Sequence, residues 1–329
     1  IPKRNRYMDS VKLKIIEAAS EMSYEKAGRY GCDDGFPASK STVCRLIKKT
    51  EYYIVDNNNI IQNDAKIHLQ IDEKYVHVKD EKNQKRLLTA TIFKGVAISG
   101  KKRILKNRTL ISGTKMNNFF KRINKILANK YKVKVDDEIY VSGDLAKYIQ
   151  TSPEKILVCK SVYVPDKFHI EHTLKEETGI IVNKFQLNDE NFRKVIIDCL
   201  KENQNSESKK LIKLLKTNPG CLKCYLDPKY EGCSQECMNS HYYATRFDKV
   251  PNVWNLETIE LLSKIIEAKQ NGSAIKIGFD DEFYEMPYDL ENKENYEDIY
   301  RTVINTDGMP YYMKKFFDRI CDGYDAKML

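Results

Sequence analysis

The chain has 329 residues and is 41% hydrophobic and 31% charged, which is globular rather than disordered and leaves room for about two domains. Its 56 basic residues against 47 acidic ones give a net charge of +9. The stretch from Asp280 to Asp298 is strongly acidic, so the remainder is more basic than the total suggests and suits a polyanion partner. No apolar run approaches the ~20 residues that cross a bilayer. Nine scattered cysteines, an odd number, point to reduced thiols in a cytosol rather than a disulfide framework. The opening "IPKRNRYMDS" has no apolar signal-peptide core and no initiator Met, and the chain reads as a fragment whose natural N-terminus lies upstream.

Residues 11–49 carry helical spacing. Leu13, Ile16 and Ala19 fall near one face, Ser23 is placed to cap a short second helix, and Ser39 or Ser41 to cap a third. That third helix turns Val43, Leu46 and Ile47 inward and Arg45, Lys48 and Lys49 outward, as the reading element of a helix-turn-helix would. A plain three-helix packing unit explains the same pattern equally well. The Asn-rich segment from Glu51 to Asp64 reads as a linker. Strand alternation follows: Ile67, Leu69 and Ile71 share one face, and His68, Gln70 and Asp72 the other. Two more strands continue a meander through residues 86–112. Met116, Phe119, Phe120, Ile123 and Leu127 then repeat at helical spacing.

A short strand from Glu138 to Ser142 ends in Gly143-Asp144 before a helix, and "KSVYVPDKFH" is a further strand leading into a helix. Three meandering strands, a helix, a strand, a helix and a strand make an α/β class with a mixed sheet flanked by helices. Residues 185–219 read as an all-helical insertion, with Leu211, Leu214 and Leu215 on one apolar face. The last clear helix begins near Asn255, its cap, and stops at Gly272.

Asp72 on the first strand and Asp144 at a strand-to-helix turn can meet at one edge of such a sheet. Paired carboxylates repel unless a divalent cation lies between them. Mg²⁺, which takes oxygen ligands and keeps waters, suits such a pair. A third carboxylate, for which Glu236 is the candidate, would admit a second metal for phosphoryl transfer. Each acid has a plainer reading as a turn, cap or solvated residue.

Several stretches together resemble the ISLre-type insertion-sequence transposases, a group related to Mutator-like DDE transposases with an RNase H-like catalytic domain. They are "IDEKYVHVK", "VSGDLAKYI", "PDKFHIEHTL", "GCSQECMNSHYYATRF", the Trp-containing helix "VWNLETIELLSKIIEAKQNG" and the upstream "MSYEKAGRY…SKSTVCRLIK". The resemblance spans residues 20–275. It implies a metal-binding acidic triad of Asp72, Asp144 and Glu236 with Mg²⁺ or Mn²⁺, supported by Asp166 and His169. It further implies double-stranded DNA, as terminal inverted repeats and target, for a homodimer in a prokaryotic cytoplasm at the nucleoid. Domains would run 1–60 (helix-turn-helix and linker), 64–184 and 220–275 (catalytic core), 185–219 (insertion) and 276–329 (acidic C-terminal region). The first block departs from the family in reading Asp-Glu-Lys-Tyr, which makes Glu73 a rival ligand on the opposite strand face, and Cys237 stands where a Gly is expected. An inactive or domesticated DNA-binding descendant and an RNase H-fold nuclease are the alternatives.

The same region has a zinc reading. Cys221 and Cys224, with Cys233 and Cys237, form a C-x2-C and a C-x3-C, spacings able to hold structural Zn²⁺; small buried residues are the plainer explanation. On one helix Cys233 would share a face with Cys237, and Glu236 with Ser240. Arg246 suits a DNA phosphate, His241 an orienting role, and Trp254 either a base or the core.

Overall fold

The computed structural model describes residues 7–32, 35–52, 66–79, 81–100, 102–202, 205–248, 254–273, 275–277 and 285–286. Three helices come first: α1 (Asp9–Ala19), α2 (Tyr24–Tyr30) and α3 (Lys40–Lys48). Ser23 and Ser39 accept the backbone N–H of Lys26 and Thr42, so both caps fall where the sequence places them. Gly28 lets the chain beyond α2 close in: a Cβ there would lie 2.0 Å from the Ala38 carbonyl oxygen. After α3 the chain does not enter a linker at once. Strand β1 (Thr50–Tyr52) pairs antiparallel with β9 (Ile275–Ile277), which also pairs with β10 (Glu285–Met286). The rest of the Asn-rich segment, and the C-terminal region from 287, lie outside the described residues.

A five-stranded mixed sheet forms the centre. It comprises β2 (Ile67–Val76), β3 (Lys85–Lys94), β6 (Thr109–Gly113), β7 (Glu138–Gly143) and β8 (Lys160–Pro165), in the order β6-β3-β2-β7-β8. The first three are antiparallel neighbours, and β2, β7 and β8 run parallel. The meander is longer than its alternation suggests. At Gly95, φ +85°, the chain leaves β3 for a separate hairpin of β4 (Val96–Ser99) and β5 (Lys102–Leu105) before returning as β6.

Ile67, Leu69 and Ile71 pack with Phe119, Phe120, Ile123 and Leu127 of α4 (Met116–Asn129) in one core. Each of these buried side chains contributes roughly 1.5–3 kcal/mol. The helices α5 (Lys147–Gln150), α6 (Lys167–Thr178), α7 (Lys184–Asn188), α8 (Glu190–Glu202) and α9 (Ser206–Thr217) follow. Ile196, Leu200, Leu211, Leu214 and Leu215 join that same core, so the helical insertion is bound into the sheet's hydrophobic centre. Strand β6 is a sheet edge, and α12 (Leu256–Asn271) covers it: Asn271 exchanges hydrogen bonds with the backbone of Leu110, and buried Glu267 accepts the Ser112 N–H. These bonds satisfy edge groups that would otherwise template another strand. Asn255 caps α12, and Gly272 ends it in the left-handed region. Among the described residues no helix is long and apolar enough to cross a membrane.

Candidate active site

Parallel pairing sets the site. Gln70 of β2 lies opposite Ser142 of β7. Two residues further along each chain, Asp72 and Asp144 reach the same end of the sheet. The next strand adds a third acid. Pro165 of β8 pairs with Gly143, and the Asp166 N–H donates to the Gly143 carbonyl at 2.7 Å. Asp144 and Asp166 thus follow the carboxyl ends of β7 and β8, where open α/β sheets bind ligands, and Asp72 comes level with them from within the longer β2.

Hydrogen bonds orient each of them. Asp72 accepts the N–H of Glu73 on Oδ1 and the Asn239 amide on Oδ2, both at 2.7 Å. Asp144 Oδ1 accepts the Ala146 N–H at 2.8 Å. Asp166 caps α6 through the Phe168 N–H at 3.1 Å and holds His169 Nδ1 at 2.8 Å. Burial pushes the Asp72 carboxyl up to about 6, and the charge of Asp144 adds to this, against the Glu73 N–H, His169 and Asn239. Burial also raises Asp144, helped by Glu73 and opposed by the Ala146 N–H, His169 and Lys210. His169 is raised first by its bond to Asp166, against burial, and then by the charges of Asp166, Asp144 and Glu236. His169 therefore links the predicted residues: its charge acts on Asp72 and Asp144, and Asp166, Asp144 and Glu236 act on it.

Glu236 sits on α10 (Gln235–Met238), which widens into a π turn (Asn239–Ala244) and ends as α11 (Thr245–Phe247). Gln235 and Asn239 are buried toward the sheet, while Glu236, Cys237 and Ser240 are exposed. The helix opens at Gln235. Cys233 therefore precedes it, and the expected helical pairing with Cys237 does not exist. Glu73, the rival ligand, is held by Arg86 at 3.2 Å and by the Tyr75 hydroxyl at 2.5 Å, and its charge still reaches Asp144.

The predicted DNA contacts divide. Arg45, Lys48 and Lys49 are exposed at the end of α3, with Lys48 paired to Glu257 at 2.9 Å. Arg246 is 2% exposed and cannot meet a phosphate in this fold. Its Nε donates to the Ala19 carbonyl at 2.7 Å, and its guanidinium lies 4.4 Å from the Trp254 ring centre. Trp254 is itself core, edge-on to Phe247. Arg246 and Trp254 thus join the N-terminal helices to the last part of the fold. His241 is exposed.

A family model described as "Uncharacterised protein family (UPF0236)" matches residues 1–282. The chain belongs to this UPF0236 family. Relatives include UPF0236 protein TTE2489 and UPF0236 protein TTE1650/TTE2708 of Caldanaerobacter subterraneus subsp. tengcongensis. Each is 25% identical over 294 residues, which is 84% of this chain and 62% or 58% of the relative. The chain spans about three fifths of the length of these curated relatives.

Among the described UPF0236 residues, no three His, Cys, Asp or Glu side chains gather closely enough to hold one metal ion. The Asp72–Asp144 pair nevertheless has the right donors for Mg²⁺ or Mn²⁺. Both are oxygen ligands, and each Asp72 oxygen keeps a lone pair beyond its one hydrogen bond. Their mutual repulsion is what a cation relieves. Exposed Glu236 stands apart from the pair in this conformation. The cysteines fit zinc poorly. Among the described residues no three of the four thiols gather as a metal site. The Cys221 thiol donates to the Asn218 carbonyl at 2.9 Å, and Cys237 is exposed.

Sequence reasoning passed over Asn239, Gln235, Thr89 and Gln70, the polar residues that dock the Glu236 segment on the sheet. The available signal was Gln70 and Asp72 sharing a strand face with Thr89 and Thr91 paired opposite, a polar surface that needs a polar cover.

Proposed function

We propose that this chain is a DDE-type DNA transposase of the ISLre kind, with an RNase H-like core whose metal-binding acids are Asp72, Asp144 and Glu236. The observation that carries the reading is the parallel register of β2 and β7, Gln70 opposite Ser142, which brings Asp72 of β2 level with Asp144 just past the end of β7, each driven toward protonation by burial and by nearby acids. An antiparallel meander followed by two parallel strands with helical crossovers supports the RNase H-like assignment. The relatives add an independent argument. One is named with eleven locus labels of a single strain and another with four, the multiplicity that a self-copying element leaves.

When bound, Mg²⁺ or Mn²⁺ supplies a Lewis acid that activates water and neutralises charge on a phosphodiester. Asp72 and Asp144 would hold it from the sheet, and Glu236 from the helix that covers the sheet. His169, which holds its proton more firmly than a free imidazole, is placed among Asp166, Asp144 and Glu236 to balance charge or protonate a leaving oxygen. The α3 surface with Arg45, Lys48 and Lys49 would engage DNA ends, and joining two ends calls for two subunits.

The test is Mg²⁺- or Mn²⁺-dependent cleavage and strand transfer on DNA carrying the element's ends. Asp72→Ala, Asp144→Ala and Glu236→Ala should each abolish both steps and leave DNA binding intact. Full cleavage by any one variant removes that residue from the site. A second reading, a DNA-binding descendant without catalysis, is favoured by one observation: Glu236 is not gathered with the two aspartates. Metal binding by the wild-type chain decides between the two.

A further inference from the structure

Asp72 does not face the covering helix alone. Asn239, 94% buried, donates Nδ2–H to Asp72 Oδ2 at 2.7 Å. Its other end, Oδ1, accepts the Thr89 hydroxyl at 2.7 Å and lies 3.5 Å from Gln235 Nε2. Gln235 Nε2 also donates to Thr89 Oγ1 at 3.3 Å. Thr89 is the β3 residue directly opposite Asp72, and its hydroxyl lies 3.1 Å from the Asp72 carbonyl. These contacts define which way the Asn239 amide points. Two donors converge on Oδ1, so a flipped amide would set N–H groups against N–H groups and an oxygen against the carboxylate. Gln70 secures the entry to the same segment, donating to the Gly232 carbonyl at 2.8 Å and accepting the Ser234 N–H at 2.9 Å.

Gln235 and Asn239 are one helical turn apart and bracket Glu236. Whatever fixes them fixes the backbone that carries the third acid. Plain packing would need only apolar side chains on this face, yet the face carries a connected set of amides that ends on a carboxylate.

We infer that Asn239 is a positioning residue: its amide, locked by Thr89 and Gln235, aims the Asp72 carboxylate and ties the Glu236 turn to the strand that bears Asp72. This rests on the proposed metal-dependent reading of the same acids. Groups that orient a metal ligand typically change affinity by about 10–100-fold when removed.

Two measurements on the whole chain test it. In metal-free protein, the Asn239 side-chain amide resonance, identified by its loss in Asn239→Leu, should shift and exchange faster in Asp72→Ala and in Thr89→Val. A resonance indifferent to both changes would overturn the inference. Mn²⁺ affinity, read by calorimetry, should weaken about 10-fold or more in Asn239→Leu and in the same direction in Thr89→Val, with melting temperatures reported beside it. Thr89→Val removes one hydroxyl and keeps the shape, so it carries this arm if Asn239→Leu does not fold. Affinity within about twofold of wild type in folded variants would overturn the inference while the functional reading stands. A wild-type chain that binds no Mn²⁺ would defeat the functional reading instead, and the resonance measurement would still decide the role of Asn239.

Discussion

Asp72 should make the metal-free protein less stable as pH rises. Its carboxyl has an ordinary value of 3.8 and is pushed up to about 6 in the fold, chiefly by burial. Well below pH 4 it is protonated in both folded and unfolded chains and contributes nothing. Between about pH 4 and pH 6 the folded chain binds the extra proton, so stability falls as pH rises. Above about pH 6 both states are ionised and the full cost of the buried charge stands. A shift of about two units corresponds to a ceiling of ~3 kcal/mol. Asp72→Asn removes this titration. Its other effect, one N–H facing an amide donor in place of an acceptor, costs ~1–3 kcal/mol at every pH. The measurement is urea unfolding of both proteins in EDTA from pH 4 to pH 7. The difference between them should move by up to ~3 kcal/mol in favour of the variant across that range. Saturating Mn²⁺ should recover the wild-type loss, since a ligand that binds the folded, ionised site adds stability. A pH-independent difference would show that Asp72 is not ionised at a cost, and the electrostatic argument for a cation at this site would fall with it.

Arg246→Met should destabilise the chain by ~2–4 kcal/mol in urea unfolding, through a lost charged hydrogen bond to Ala19 and a lost contact with Trp254. A loss below ~1 kcal/mol accompanied by failed DNA binding would return Arg246 to the surface role that its sequence suggests. Asp166→Asn should bring the His169 pKa back down toward 6.5, because the Asp166 bond is the first cause of its rise; NMR titration of the ring protons reads this directly, and an unmoved value would assign the shift to other groups. Arg45→Glu with Lys49→Glu should weaken DNA binding and flatten its salt dependence by about 0.9 in slope for each phosphate contact removed. An unchanged slope would place the DNA surface away from α3.

Local pattern determined much of this molecule. The i, i+3, i+4 recurrence of Phe119, Phe120, Ile123 and Leu127 identifies α4 because any helix must bury such a stripe. The alternation of Ile67, Leu69 and Ile71 with His68, Gln70 and Asp72 already separates a core face from a polar one. Ser23, Ser39 and Asn255 mark helix starts by side-chain chemistry that acts within three residues. The tertiary structure decided what those elements meet. That β2 lies between β3 and β7, bringing Asp72 level with Asp144, depends on pairing partners some seventy residues apart, and no local periodicity encodes such a choice. Arg246 looks like a surface cation in its own stretch of sequence. It is buried because the carbonyl it bonds, that of Ala19, lies 227 residues away. Asn239 likewise acquires its partner, Asp72, from a strand 167 residues upstream. A polar side chain declares only what it can bond, and folding brings up the atom that it does bond.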